Sequence, residues 1–234
     1  MSAGRVLVII PARDESASLP HTLREIRARA SGLDLLVVDD GSRDGTSDAA
    51  RAERVPVLRH VVNLGVGAAL QTGIRYALER GYDVAVQLDA DGQHDPAFLD
   101  ALTAPVLAGE CDVAIGSRYV TRTAYRAPLS RRLGMLLFSG VVRLLLGQRI
   151  SDTTSGFRAY NRAAMAACQQ DLPRDFPDAP FLIALARRGL RLREVAVEMR
   201  ERTAGESFYT VGKALYYPYK NLLASLMAWL KRPA

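Results

Sequence analysis

The chain is poor in the residues that mark several protein classes. Its two cysteines, Cys111 and Cys168, show no CxxC or Cys/His spacing. That excludes a disulfide framework and a zinc site, and both are expected as reduced core thiols. The charge-free apolar runs at 133–142 and 221–230 reach about half of a bilayer span, so no transmembrane helix is expected. Arg5, a five-residue apolar run and then Pro11 make too short a core for a secretory signal, and the chain is expected to stay in the cytoplasm. No GxxxxGK[ST] loop occurs, and Leu70 stands where a GxGxxG fingerprint needs its third glycine; both absences argue against P-loop NTPases and dehydrogenases. No helix-turn-helix, ribonucleoprotein or finger signature is present, so nucleic acid is not an expected partner.

What remains is an ordinary globular composition, 49% apolar and 24% charged over 234 residues. This length suits one α/β domain with a short appendage, here residues 1–210 followed by 211–234. The net charge of +6 is unevenly placed. Seven arginines and no acid lie between Arg118 and Ile150, and four bases and no acid follow Glu206, which leaves the remainder at −5. An acidic body with two basic stretches points to a polyanionic partner, either phosphates or an anionic membrane surface.

Short β-branched or apolar runs at Arg5 to Ile10, Leu35 to Val38 and Val84 to Leu88 predict buried parallel strands. Helical patterns at Ser18 to Arg29, Thr46 to Glu53 and Ala68 to Arg80 alternate with them. Further strands are expected at Val113 to Gly116 and Leu192 to Met199. The alternation predicts a Rossmann-like, mostly parallel sheet with flanking helices, whose ligands bind at the carboxyl ends of the strands. There the polar loops fall: Pro11 to Glu15, Asp39 to Gly45 and Asp89 to His94. They would gather Glu15, Asp39, Asp40, Asp89 and Asp91 around one crevice.

Asp89-Ala90-Asp91-Gly92-Gln93 is the most informative segment. Carboxylates at i and i+2 at the end of a strand can turn toward one ligand. With the Gln93 amide oxygen they form a hard donor set suited to Mg²⁺ or Mn²⁺. A metal ion there can neutralise a diphosphate, whereas the spacing is too short for an EF-hand. The glycines of NLGVG at 63–67 predict a helix start that passes close to another element.

IPARDES at 10–16, VVDDGSRDGT at 37–46, NLGVGAALQTG at 63–73, DADGQHDP at 89–96, GSR at 116–118, DTTSGFRAYNR at 152–162 and RTAGES at 202–207 resemble, in order, the motifs of family 2 glycosyltransferases. The similarity is strongest to the dolichol-phosphate mannosyltransferase-like branch. It implies a GT-A fold, a nucleotide-diphospho-sugar donor, a polyprenyl phosphate acceptor and inversion at the anomeric carbon. Carried over by position, Pro11, Ala12, Arg13 and Glu15 would line the base and ribose pocket, with Asp40 and Asp39 at the nucleoside. Asp89, Ala90 and Asp91 would meet the diphosphate, Asp89 and Asp91 holding the metal with help from Gln93. Arg118, Arg131 and Arg202 would place cations near the phosphates, and Ser207 closes the RxxGxS motif.

Arginine suits such a site because its planar fork binds phosphate oxygens in pairs, and departure of a nucleoside diphosphate develops charge that cations stabilise. An anionic polyprenyl phosphate needs no general base. A sugar hydroxyl acceptor would need one, for which Asp152 and Asp178 are the candidates. Two departures from the family pattern stand out: Pro180 replaces a second acid in Phe176-Pro-Asp-Ala-Pro180, and Phe208 stands where a lysine is frequent. They leave a non-catalytic nucleotide-sugar-binding module as an alternative. The basic stretches 130–147 and 212–231 predict amphipathic helices that lie on the inner face of an anionic membrane, or else pack on the core or a second copy in a homodimer.

Overall fold

The structure, a computed structural model, describes residues 4–30, 32–120, 139–140, 142–145, 147, 150–173, 178–200 and 223–230. Its strands are β1 (Val6–Ala12), β2 (Asp34–Asp39), β3 (Val57–Arg59), β4 (Val84–Gln87), β5 (Val113–Ser117), β6 (Arg158–Asn161) and β7 (Leu192–Ala196). They form one seven-stranded sheet in the order β3-β2-β1-β4-β6-β5-β7. All pairings are parallel except those of β6, which runs antiparallel to both β4 and β5.

The helices are α1 (Leu19–Arg29), α2 (Thr46–Ala52), α3 (Val66–Glu79), α4 (Leu99–Leu107), α5 (Arg162–Asp171) and α6 (Ala179–Arg187). They cover both faces of the sheet, which is why β1 and β2 read as continuous apolar runs rather than alternating ones. Along β1, Leu7 and Ile9 face a core built with Leu70 and Ile74 of α3, Met165 of α5 and Leu182 of α6. Val6, Val8 and Ile10 face the opposite core, with Leu23 and Ile26 of α1 and Leu102 and Val106 of α4. Helix α3 lies so close to β1 that a Cβ at Gly73 would stand 2.4 Å from Ile9 Cγ2; only glycine fits there.

The expected strands and the three expected helices are present, with α3 starting earlier, at Val66, and β7 ending at Ala196. Met199, expected inside that last strand, instead forms an isolated antiparallel bridge with His94. Both cysteines are buried, and among the described residues neither is in a disulfide. Of the two expected amphipathic helices, residues 139–140, 142–145 and 223–230 are helical, Gly147 is a bend, and the rest lie outside the described residues. In 223–230, Ala228 and Trp229 pack on the core, Trp229 Nε1 donates to the Leu145 carbonyl at 3.2 Å, and Leu223, Leu226, Met227 and Leu230 are exposed. Leu144 is 84% exposed beside this contact. Among the described residues, no helix is long and apolar enough to cross a membrane.

Candidate active site

The carboxyl ends of β1, β2 and β4 open onto a cleft of about 420 Å³. Pro11, Ala12, Arg13, Glu15, Asp40, Asp89, Ala90 and Asp91 all line it, so three loops far apart in the chain meet as the sequence suggests. The loop after β1 is tied to the loop after β2: Asp14 N donates to Ser42 Oγ at 3.0 Å and Glu15 N to Thr46 Oγ1 at 2.9 Å.

The neighbouring aspartates of β2 have different roles. Asp39 is fully buried and turned into its own loop, where it accepts from Ser42 N at 2.8 Å and from the Ser47 hydroxyl. Burial raises its pKa, but those hydrogen bonds, together with Arg59, outweigh burial and hold it below the ordinary carboxylate value. Asp39 thus stabilises the turn and stands outside the residues that line the cleft. Asp40 lines the cleft and accepts from Leu64 N at 2.9 Å and Gly65 N at 2.8 Å. Its Oδ1 is also 2.8 Å from His60 Nδ1, whose Nε2 lies 2.9 Å from Thr72 Oγ1. Gly65, at φ 99, adopts a backbone conformation that favours glycine and brings the start of α3 against this carboxylate.

After β4, the Asp89 amide donates to His94 Nδ1 at 3.0 Å, so the imidazole proton sits on Nε2, 3.6 Å from Asp89 Oδ2. His94 is held by stacking on Phe157 at 4.9 Å. Asp91 Oδ1 accepts from Gln93 N at 3.0 Å, and the Ala90 carbonyl between the two aspartates accepts from Thr22 Oγ1 at 3.1 Å. Gln93 acts through its backbone here and stands outside the cleft lining.

Among the described residues, no three acidic, histidine or cysteine side chains converge as a metal cage. Asp89 and Asp91 on one cleft wall instead match the donor set of a Mg²⁺-type ion, which takes one or two carboxylates and completes its shell with substrate phosphates and water. Gln87, buried beside them with its Oε1 unpartnered among the described residues, adds a further hard oxygen to this wall.

The facing wall comes from the segment before β6: Thr154, Ser155 and Gly156 line the cleft. Gly156 is pressed against Asp89 and Gln87, whose Oδ2 and Nε2 atoms would lie 3.2 and 3.0 Å from a Cβ there. Arg118, expected near the phosphates, is buried and directed at Asp152, with Nε to Oδ2 and Nη2 to Oδ1 both at 2.7 Å. Its Nη2 also donates to Thr154 Oγ1 at 3.1 Å, so it braces this wall from behind. Asp152, one of the two base candidates, is enclosed in that pair, while Glu194 accepts from its backbone amide at 2.9 Å.

Asp178, the other base candidate, lines the cleft at the start of α6. Burial pushes its carboxyl up to about 6, opposed by Arg158 and assisted by Asp152. Arg131, Arg202 and Ser207 lie outside the described residues.

Several lining residues carry no role in the sequence reading: Asn63, Val66, Ala69, Gln87 and Thr154 to Gly156. Signals for them were present. Gln87 is the one polar residue in the VAVQ strand, and Thr154 to Gly156 sit inside the DTTSGFR motif.

A twisted, mostly parallel sheet whose carboxyl ends carry an acid-lined cleft, with one antiparallel strand completing the second wall, defines a GT-A-type nucleotide-sugar enzyme. The sequence profile of Glycosyl transferase family 2 matches residues 7–168, and the chain belongs to that family of glycosyltransferases. It is 39% identical over 212 residues to the undecaprenyl-phosphate mannosyltransferase of Micrococcus luteus, covering 87% of this chain and 86% of that one. It is 38% identical over 214 residues to the polyprenol monophosphomannose synthase of Mycolicibacterium smegmatis, covering 87% and 80%. Among solved structures, the glucosyl-3-phosphoglycerate synthase of Mycobacterium tuberculosis, in complex with Mn²⁺, uridine diphosphate and its product, superposes with a TM-score of 0.71 at 23% identity, covering 100% of this chain and 82% of that one. The likeness places the fold.

Proposed function

We propose that this glycosyltransferase moves a sugar, with inversion and with a divalent metal, from a nucleotide-diphospho-sugar to a polyprenyl phosphate. The observation that carries the reading is the meeting of Pro11 to Arg13, Asp40, Asp89 and Asp91 in one cleft. The names of the two bacterial relatives support the acceptor class.

Pro11, Ala12 and Arg13 border the nucleoside, and Asp40, fixed by two backbone amides, offers an oriented acceptor to a ribose hydroxyl or a base N–H. Asp89 and Asp91 would hold Mg²⁺ or Mn²⁺, which when bound screens the diphosphate and stabilises the charge that develops on the leaving group. Arg131, Arg202 and Ser207 are proposed at the diphosphate or the acceptor phosphate. A phosphate oxygen of the acceptor is already anionic and attacks without a base, in a single displacement.

A second reading, transfer to a hydroxyl, is favoured by one observation: Asp178 lines the cleft with a carboxyl at about 6, a value suited to general base work near neutral pH. A panel of nucleotide-sugars with Mn²⁺ or Mg²⁺, read by thermal shift, tests the donor. A ligand at a hundred times its Kd adds about 2.7 kcal/mol, and a panel without any shift would overturn the reading.

The acceptor is a membrane lipid, and the exposed side chains of 223–230 offer a surface for reaching it. Leu223, Leu226, Met227 and Leu230 recur at helical spacing on one exposed face, with Lys231 and Arg232 following in sequence. This pattern supports peripheral attachment to an anionic bilayer, at the cytoplasmic face where nucleotide-sugars are available. The competing occupant of that face is a second copy of the chain, which size-exclusion chromatography with light scattering distinguishes.

A further inference from the structure

We propose that Arg200, remote from the cleft, is a positioning residue that fixes the two metal-binding aspartates. The inference rests on reading Asp89 and Asp91 as metal ligands.

One residue joins three parts of the fold. The Arg200 guanidinium donates through Nη1 to both carboxylate oxygens of Glu25 on α1, at 2.7 and 2.8 Å. Through Nη2 it reaches Asp95 Oδ2, at the end of the loop after β4, at 2.9 Å. Its backbone amide donates to the Gln93 carbonyl at 2.9 Å, next to the bridge between Met199 and His94. Gln93 in turn donates its own amide to Asp91 Oδ1. Two hydrogen bonds therefore lead from the Arg200 backbone through one peptide residue to the carboxylate in the cleft.

The side-chain contacts make that path rigid. Asp95 caps the following 3-10 turn by accepting from Ala97 N at 2.9 Å, so the loop is held at its far end by Arg200 and the turn together. Thr22, three residues before Glu25 on α1, holds the middle of the loop at Ala90. Asp89 and Asp91 repel each other across the intervening residue, and without these ties the loop would relax by separating them. Arg200, Glu25 and Asp95 all stand outside the cleft lining, so their effect on a bound ion passes through loop geometry. Arginine is required because one planar fork serves two carboxylates on different elements, a geometry that a single ammonium does not reproduce.

The test measures Mn²⁺ binding, by the electron paramagnetic resonance signal of free Mn²⁺, in the wild type, Arg200→Ala, Arg200→Lys and Asp91→Ala, each checked for a cooperative melt. Arg200→Ala is expected to raise the Kd for Mn²⁺ about ten- to a hundredfold, the range for residues that orient metal ligands, with Arg200→Lys recovering part of the loss. A role in stability alone lowers the melting midpoint and leaves the Mn²⁺ Kd unchanged, and that result overturns the proposal. Absence of Mn²⁺ binding to the wild type, both alone and with a nucleoside diphosphate present, overturns the metal reading itself, and this inference with it. If Arg200→Ala does not fold, Glu25→Gln and Asp95→Asn, which keep the side-chain shapes, are measured instead, and a wild-type Kd in both counts against the proposal.

Discussion

Arg118 and Asp152 form a two-pronged ion pair, both prongs 2.7 Å long, behind the wall of the cleft formed by Thr154 to Gly156. Asp152 is wholly enclosed, so its charge depends on this partner. The arginine of the GSR motif therefore ties Asp152 to Thr154 on the cleft wall.

Removing one member of a buried pair strands the other, at a cost of about 3–5 kcal/mol. Arg118→Ala is expected to lose that much stability in urea unfolding. Retention of wild-type stability would show that Asp152 is compensated from elsewhere.

Asp178 ties stability to pH. Its carboxyl titrates at about 6 in the folded chain against an ordinary 3.8, chiefly through burial. The folded state therefore binds the proton more tightly than the unfolded one. This contribution, about 3 kcal/mol by linkage, is complete below about pH 3.8 and is lost as pH rises through about 6. Asp178→Asn should flatten the melting temperature between pH 4 and 7 relative to wild type. The same variant separates the two acceptor readings: an ionisation near 6 in kcat/KM that disappears in Asp178→Asn indicates a hydroxyl acceptor, and an unchanged profile indicates a phosphate.

Asp91→Ala removes a carboxylate from the cleft without emptying the core. Transfer should fall by at least about a hundredfold, with metal-dependent donor binding lost in calorimetry. Retained activity would remove Asp91 from the metal site.

Leu226→Glu combined with Met227→Glu places charge on an exposed face, where substitutions change stability by roughly 0.5 kcal/mol or less. The variant should melt like the wild type and fail to float with liposomes containing anionic lipid. Flotation equal to that of the wild type would place membrane contact elsewhere.

The parts of the fold legible in the sequence were those with strong periodicity or motif chemistry. β1, β2 and β4 announce themselves as apolar runs because helices cover both their faces. The acid loops that follow them converge as read. β3 is three residues long and only partly buried, too short for any periodic signal. β6 reads Arg-Ala-Tyr-Asn, and its buried Arg158 and Tyr160 disguise a central strand as a polar segment. Helix α4 holds Pro105 in its interior, which argues against a helix in sequence. At the site, the convergence of the Pro11 to Glu15 loop and the Asp89 to Gln93 segment was readable from residue types, whereas placing Pro11, Ala12 and Arg13 on the cleft followed from the family resemblance. That Arg118 is bound by Asp152, and that Asp39 serves its own turn, depends on tertiary distances that residue type does not encode.

The reversed direction of β6 has a consequence for how the cleft is assembled. Its first residue, Arg158, pairs with Gln87 at the last residue of β4, which carries Thr154 to Gly156 to the Asp89 loop from more than sixty positions away in the chain. The wall that carries Asp40, Asp89 and Asp91 is complete within the first 91 residues, whereas Thr154 to Gly156 join it only once β6 has inserted between β4 and β5. During synthesis the nascent chain therefore exposes a half-built pocket, and nucleotide affinity should emerge late and abruptly with chain length.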